Sequence, residues 1–165
     1  FWERLHQSAQ AHTGLPLPQV GQHGDFWPGN IFFDGANPNR LGVIDWEEYQ
    51  SISTPFRDLF LFITTYVLAY PWSKWQRLPR AQRFERGFFT NNWQSAQVKT
   101  YIHTLWQQYE WPLTAVSLFF TLFLCEMAAP VTTEGKKRLE QSQQWRDLLL
   151  FYADNADRLI FPLCI

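Results

Sequence analysis

The segment from Gln22 to Asp58, QHGDFWPGNIFFDGANPNRLGVIDWEEYQSISTPFRD, sets the tightest limit on what this chain can fold into. It holds two short apolar runs, Ile31-Phe32-Phe33 and Leu41-Gly42-Val43-Ile44, separated by the connector Asp34 to Asn39. The Gly, Asn and Pro content of that connector marks a turn, so the two runs are expected to pair as a β-hairpin. Pairing acts on the polar residues at the base of the ribbon. Asn30 stands just before the first strand and Asp45 just after the second, so a hairpin makes neighbours of two oxygen donors that are distant in sequence. Ahead of them lies His23-Gly24-Asp25, in a loop bracketed by Gly24 and Gly29, which allow a tight backbone path.

Outside this segment the apolar pattern is helical. Trp2, Leu5, Ala9 and His12 recur at three-to-four spacing over residues 1 to 13, with Gly14 as a stop, and Pro16 and Pro18 then keep the chain extended. After Asp45 the sequence is expected to turn helical. Thr54-Pro55 starts a helix whose continuation, Phe56 to Tyr70, is apolar on nearly every face and belongs at the centre of the domain. A break over Pro71 to Pro79 leads to a short helix, Arg80 to Phe89, and then to Trp93 to Tyr109, with Val98, Ile102, Leu105, Trp106 and Tyr109 on one face. Leu113 to Ala128 reads as another buried helix, ended by Pro130. In Glu134 to Leu159, Trp145, Leu148, Leu149, Tyr152, Ala156 and Leu159 form one stripe. The expected fold is mainly α with a small β-hairpin, a single domain over residues 1 to 165 in which a helical part, 59 to 165, supports the segment 22 to 58.

At 165 residues such a domain buries about two-thirds of the surface of its unfolded chain and needs no disulfide or metal to hold a core. Apolar residues make up 46% and aromatic residues 18%, including nine tryptophans. The net charge of -1, with Lys and Arg scattered, excludes a polyanion-binding surface and so a nucleic-acid partner. The uncharged windows Leu59 to Ser73 and Trp111 to Cys125 are shorter than the ~20 apolar residues a spanning helix needs, so no membrane association is expected. Cys125 and Cys164 are too few and too far apart for a metal site or disulfide framework, which fits a cytoplasmic setting. The chain starts at Phe1 inside a helical pattern and reads as a piece of a longer protein.

The order His-x-Asp-x-x-x-x-Asn followed by Asp, carried by His23, Asp25, Asn30 and Asp45, resembles the catalytic loop and metal-binding segment of kinase-type phosphoryl transfer. That chemistry needs a group to orient and deprotonate a hydroxyl, for which Asp25 is the candidate, and hard oxygen ligands for Mg²⁺, for which Asn30 and Asp45 are the candidates. Placement matters more than basicity in such a base, because proton transfer comes late in a loose transition state. His23 is read as a packed, hydrogen-bonded scaffold of the loop. Asp58 is read as an acceptor for the loop's backbone N–H groups, since an unpaired carboxylate beside an apolar helix is costly. His6, His12 and His103 have no metal-ligating partner at useful spacing.

With these residues assembled, the chain resembles the aminoglycoside phosphotransferase family, which includes choline and homoserine kinase relatives and shares the protein-kinase-like fold. His23-Gly24-Asp25, Asn30, Ile44-Asp45-Trp46-Glu47, Pro55 and Asp58-Leu59 carry the resemblance, which is specific from about Leu15 to Phe62. Glycine after the histidine, where protein kinases usually have arginine, favours the small-molecule branch. The resemblance implies the carboxy-terminal lobe of that α+β fold, ATP or GTP as donor, Mg²⁺ as cofactor, and γ-phosphoryl transfer to a hydroxyl of an amino sugar, choline-like amine or amino alcohol. It also implies an amino-terminal lobe with a phosphate-covering loop and a strand lysine; no such pattern occurs in the sequence, so the lobe as given is expected to be inactive alone. Trp27, Glu47 and Glu48 are candidate substrate or nucleotide contacts, and the local excess of carboxylates points to a cationic acceptor. Two other readings stand beside this one: a non-catalytic binding module derived from a kinase lobe, and a metal-dependent hydrolase using His23, Asp25 and Asp45.

Overall fold

The computed structural model describes residues 1–16, 19–69, 77–109, 111–129 and 136–159. Pro18, most of the Pro71 to Pro79 break with Lys74, the Pro130 stop, the first residues of the last helical stripe and Cys164 lie outside them. The chain is mainly helical with small antiparallel β-ribbons. Six α-helices are described: α1 (Trp2–Ala11), α2 (Arg57–Ala69), α3 (Arg80–Phe88), α4 (Trp93–Trp106), α5 (Leu113–Ala128) and α6 (Lys136–Asn155). No helix among the described residues is long and apolar enough to cross a membrane.

The core follows from the uncharged stretch of α5, which is buried on most of its circumference and packs against α1, α2 and α6. α3 joins α2, α4 and α6. The aromatic richness of the sequence is concentrated here. Phe120 is fully buried, with the rings of Phe60, Phe88, Phe123 and Tyr152 all within 6.2 Å of its own, centroid to centroid. The α6 stripe is inside as the spacing requires, with Trp145, Leu148, Leu149 and Tyr152 buried. α1 differs from expectation: Trp2 is exposed and no residue of this helix is buried, so it lies on the surface of α5, tied there by the His12 Nε2 to Thr114 Oγ1 contact at 2.8 Å.

The hairpin forms between β2 (Ile31–Asp34) and β3 (Asn37–Val43), with Ile31 opposite Val43 and Phe33 opposite Leu41. Its turn is tighter than the connector suggested, because Asn37, Pro38 and Asn39 belong to the second strand and only Gly35-Ala36 remain to turn the chain. Asp34 Oδ1 accepts the Ala36 N–H at 2.9 Å, a local bond that sets such a turn. The region after Asp45 is not directly helical. A short 3₁₀ turn, Trp46–Glu48, is followed by a strand, β4 (Gln50–Ser53), which pairs antiparallel with β1 (Val20–Gln22). Propensity gave little sign of this ribbon, since Gln50-Ser51-Ile52-Ser53 lacks the aromatic and β-branched run of a confident strand. The ribbon ends at Gln22 on one strand and a few residues before Asp58 after the other, so it draws the two ends of the 22–58 segment together.

Tyr152 is fully buried in the core, and its hydroxyl and the Thr121 Oγ1 are 2.8 Å apart. Burial pushes the phenol up to about 12, against a smaller opposing effect of the Thr121 hydrogen bond. The folded pKa lies above that of the unfolded chain, ~10, so the native state retains a proton that the unfolded state releases. The resulting contribution to stability is complete below pH ~10 and is lost as pH rises toward 12. Urea unfolding at pH 9 and pH 11 should show the parent chain losing more stability between the two than Tyr152→Phe, and equal losses would overturn this account.

Candidate active site

The site is built outward from Asp58 in the first turn of α2. Its Oδ2 accepts the His23 backbone N–H at 2.5 Å and its Oδ1 accepts the Gly24 N–H at 3.0 Å. Gln22 closes the exchange, its Oε1 accepting the Asp58 N–H at 2.8 Å. A carboxylate in this first turn also suits the helix dipole. Gly24 has φ +89°, and a Cβ there would lie 2.1 Å from the Glu48 carbonyl oxygen. Glycine is therefore required twice over, by conformation and by space. Gly29 has no such conformational need; what fills the space where its side chain would be is the indole of Trp27.

His23 is buried, and both ring nitrogens are engaged. Nδ1 accepts the Asp25 N–H at 3.3 Å, which leaves the proton on Nε2 to be donated to the Ile44 carbonyl at 2.8 Å. That second bond links the catalytic-type loop to the end of the hairpin. Trp46 lies against the imidazole at 4.5 Å, and Phe26 bridges it to Phe62 of α2. His23 thus has no nitrogen left for a metal, and it does not line the cleft that holds Asp25 and Asp45.

Asn30 is buried at 6% exposure, and its Nδ2 donates to the Asp25 backbone carbonyl at 2.9 Å and to Asp25 Oδ2 at 3.0 Å. With the amide N–H groups so used, Asn30 Oδ1 accepts no hydrogen bond among the described residues. The Ile44 N–H donates to the Asn30 carbonyl at 3.1 Å, closing the hairpin base and bringing Asp45 to this end of the ribbon. Asp45 itself adopts the left-handed conformation, φ 67° and ψ 58°. Its exposed carboxylate accepts no hydrogen bond among the described residues.

Asp25, Asp45, Glu47 and Glu48 line one open cleft of about 460 Å³, whose opposite wall is α5 and α6. Asn30 does not line it; it acts on Asp25. Trp27 faces a second cleft, of about 730 Å³, which also reaches Asp25. No group of three or more His, Cys, Asp and Glu side chains is placed to hold a metal among the described residues.

Arg57 had no signal in the sequence reading. Its Nη1 donates to the Gly24 carbonyl at 2.5 Å and its Nε pairs with Glu126 of α5 at 2.7 Å. Glu126 is the one acidic residue in α5, and a lone charge in an apolar helix was the available hint. The loop is thereby fixed on its N–H side by Asp58 and on its carbonyl side by Arg57.

Two charge-assisted bonds to buried backbone groups are worth about 2–4 kcal/mol together. Asp58→Ala should lower the urea unfolding free energy by about that amount, Asp58→Asn by less, and Gly24→Ala by a comparable amount through strain and overlap; a loss under ~0.5 kcal/mol for Asp58→Ala would contradict this anchoring.

No curated protein and no solved structure matches the chain. The family model described as the phosphotransferase enzyme family matches residues 1–98, which is wider than the 15 to 62 stretch that carries the motif and runs from α1 into α4. That match covers more than half of the sequence and includes every residue of the Asp25, Asn30, Asp45 and Asp58 set: the chain belongs to the phosphotransferase enzyme family.

Proposed function

We propose that this chain is the catalytic and metal-binding part of a phosphotransferase that moves the γ-phosphoryl group of ATP or GTP to a hydroxyl of a small molecule. The observation that carries this reading is the joint placement of Asp25 and Asp45 on one cleft, with Asn30 bonded to Asp25. In the reaction the bond from the γ-phosphorus to the β–γ bridging oxygen breaks and a new bond to the acceptor oxygen forms. The nucleoside diphosphate leaves, and the hydroxyl proton passes to Asp25 Oδ1 or Oδ2 and on to water.

Asn30, through its amide N–H groups, holds the Asp25 carboxylate in one rotamer, so that a free oxygen lone pair can meet the hydroxyl. The Asp45 carboxylate on the cleft and the Asn30 Oδ1 behind it at the hairpin base, neither of which accepts a hydrogen bond among the described residues, are hard oxygen donors of the kind Mg²⁺ takes. When bound, Mg²⁺ supplies charge neutralisation of the phosphates. Glu47 and Glu48 border the same cleft. His23 positions Asp25 through the backbone and holds Ile44, next to Asp45, without handling a proton in the reaction. With both of its nitrogens engaged, the hydrolase reading loses its histidine ligand.

We assign the nucleotide clamp to a second lobe of the same protein outside these 165 residues, because no Gly-rich loop with a strand lysine occurs among them. The hairpin supports this, since it exposes Phe32, Phe33 and Leu41, with Phe33 at 69%, and a two-stranded ribbon with apolar faces in water is marginal alone. We place the protein in the cytoplasm, where its nucleotide donor is abundant.

In a protein that carries the clamp, Asp25→Asn should lower kcat about 10²- to 10⁴-fold with little change in the nucleotide KM, and Asp45→Asn should raise the Mg²⁺ concentration needed for half-maximal rate. The 165 residues alone should give no turnover. Undiminished kcat in Asp25→Asn would remove its assignment as base, and turnover by the 165 residues that Asp25→Ala abolishes would remove the need for a second lobe.

A further inference from the structure

The two clefts meet at Asp25 and differ in charge. The cleft with Asp45 is lined by five carboxylates and by Arg57, which is paired with Glu126, whereas the other carries two arginines, Arg80 and Arg83 of α3, together with Trp27 and Trp145. Among the described residues, Glu140 on α6 is its one carboxylate besides Asp25, and it is exposed. Neither arginine forms an ion pair among the described residues. Arg83 donates through Nη1 to the Leu68 carbonyl, while Arg80 lies over the Trp145 ring at 5.7 Å and makes no hydrogen bond among the described residues. The Nε of each is buried and has no partner among the described residues. Burial, and then the neighbouring charge of Arg83, both work against the charged form of Arg80. Two neighbouring guanidinium groups in one cleft, neither ion-paired among the described residues, are an arrangement that a bound anion stabilises.

Resting on the phosphotransferase reading, we propose that the Arg80–Arg83 cleft takes the acceptor, and that this acceptor is a hydroxylated small molecule bearing a carboxylate or phosphate group. The anionic group binds Arg80, with Arg83 beside it, and the hydroxyl points to Asp25 at the junction of the clefts. This reverses the cationic acceptor that the carboxylate count of residues 22 to 58 suggested. Of those carboxylates only Asp25 lines this cleft; Asp45, Glu47 and Glu48 line the other, Asp34 sits at the hairpin turn and Asp58 holds the loop. Trp27 and Trp145 supply flat apolar surface for the carbon skeleton.

Tryptophan fluorescence and calorimetry on this chain test the assignment with four probes of similar size: D-gluconate, D-glucose 6-phosphate, D-glucose and D-glucosamine. At least one of the two anions should bind about tenfold or more tightly than glucose and glucosamine, and which of them does so separates a carboxylate from a phosphate site. Arg80→Gln should lose about tenfold or more of that affinity and Arg80→Lys part of it, with unchanged far-ultraviolet circular dichroism in both. Glucosamine binding as tightly as either anion, no anion binding in the millimolar range, or an affinity indifferent to Arg80→Gln would each overturn the proposal. So would a Mn²⁺·ADP complex that competes with the anion and weakens equally in Arg80→Gln, because the cleft would then belong to the donor. Mn²⁺ binding, followed separately, should weaken in Asp45→Asn and be unchanged in Arg80→Gln. Failure of that arm alone would count against the phosphotransferase reading and leave the anion site standing.

Discussion

Everything the site does depends on one carboxylate accepting two consecutive backbone N–H groups. Asp58 belongs to a helix rooted in the core, and His23 and Gly24 belong to a loop that also packs Phe26 against Phe62 of that helix. Joining them transfers the rigidity of the core to the loop. Ring packing limits where the loop lies, and the directed bonds fix its backbone conformation against the entropy of a short segment. Arg57, next to Asp58 in sequence, takes the Gly24 carbonyl and is itself held by Glu126. One turn of α2 therefore serves both the donors and the acceptor of the loop, and α5 braces that turn.

The aromatic core explains how such a turn can be held still. Phe56, just ahead of α2, is buried in a left-handed conformation, φ 69°, among Phe60, Tyr109, Trp111 and Phe119. A bulky residue in that region is strained, and the strain persists because four rings fix the side chain. Its position sets where α2 starts and hence where Asp58 and Arg57 point. Packing in the helical part and polar geometry in the 22–58 segment are thus two ends of one mechanical connection.

Much of this was readable in the residues, and the reasons for the gaps are physical. The helices came from periodicity, which is strong in α5 and in the α6 stripe, and the hairpin from two apolar runs around turn-forming residues. The approach of Asn30 to Asp45 followed from hairpin topology alone. What escaped was non-local or weakly encoded. β4 is polar and short, and it exists because β1 pairs with it. Arg57 and Glu126 are far apart in sequence, and nothing local to either one names the other as its partner. Charge counted along the chain also missed Arg80 and Arg83, which reach the second cleft beside Asp25 from a helix well beyond the motif.

The left-handed backbone at Asp45 bears on how a chain of this kind can change over generations. Few side chains tolerate that conformation, chiefly glycine, asparagine and aspartate. A single base change converts an aspartate codon into one for asparagine or glycine, so the mutational steps that keep the backbone intact are also the ones that erase the negative charge. A lineage can in this way lose the carboxylate while retaining its shape, its hairpin and its core. That route lies open at Asp45, and this chain keeps the charge. The residue that is present is the one among the three that the conformation alone gives no reason to prefer.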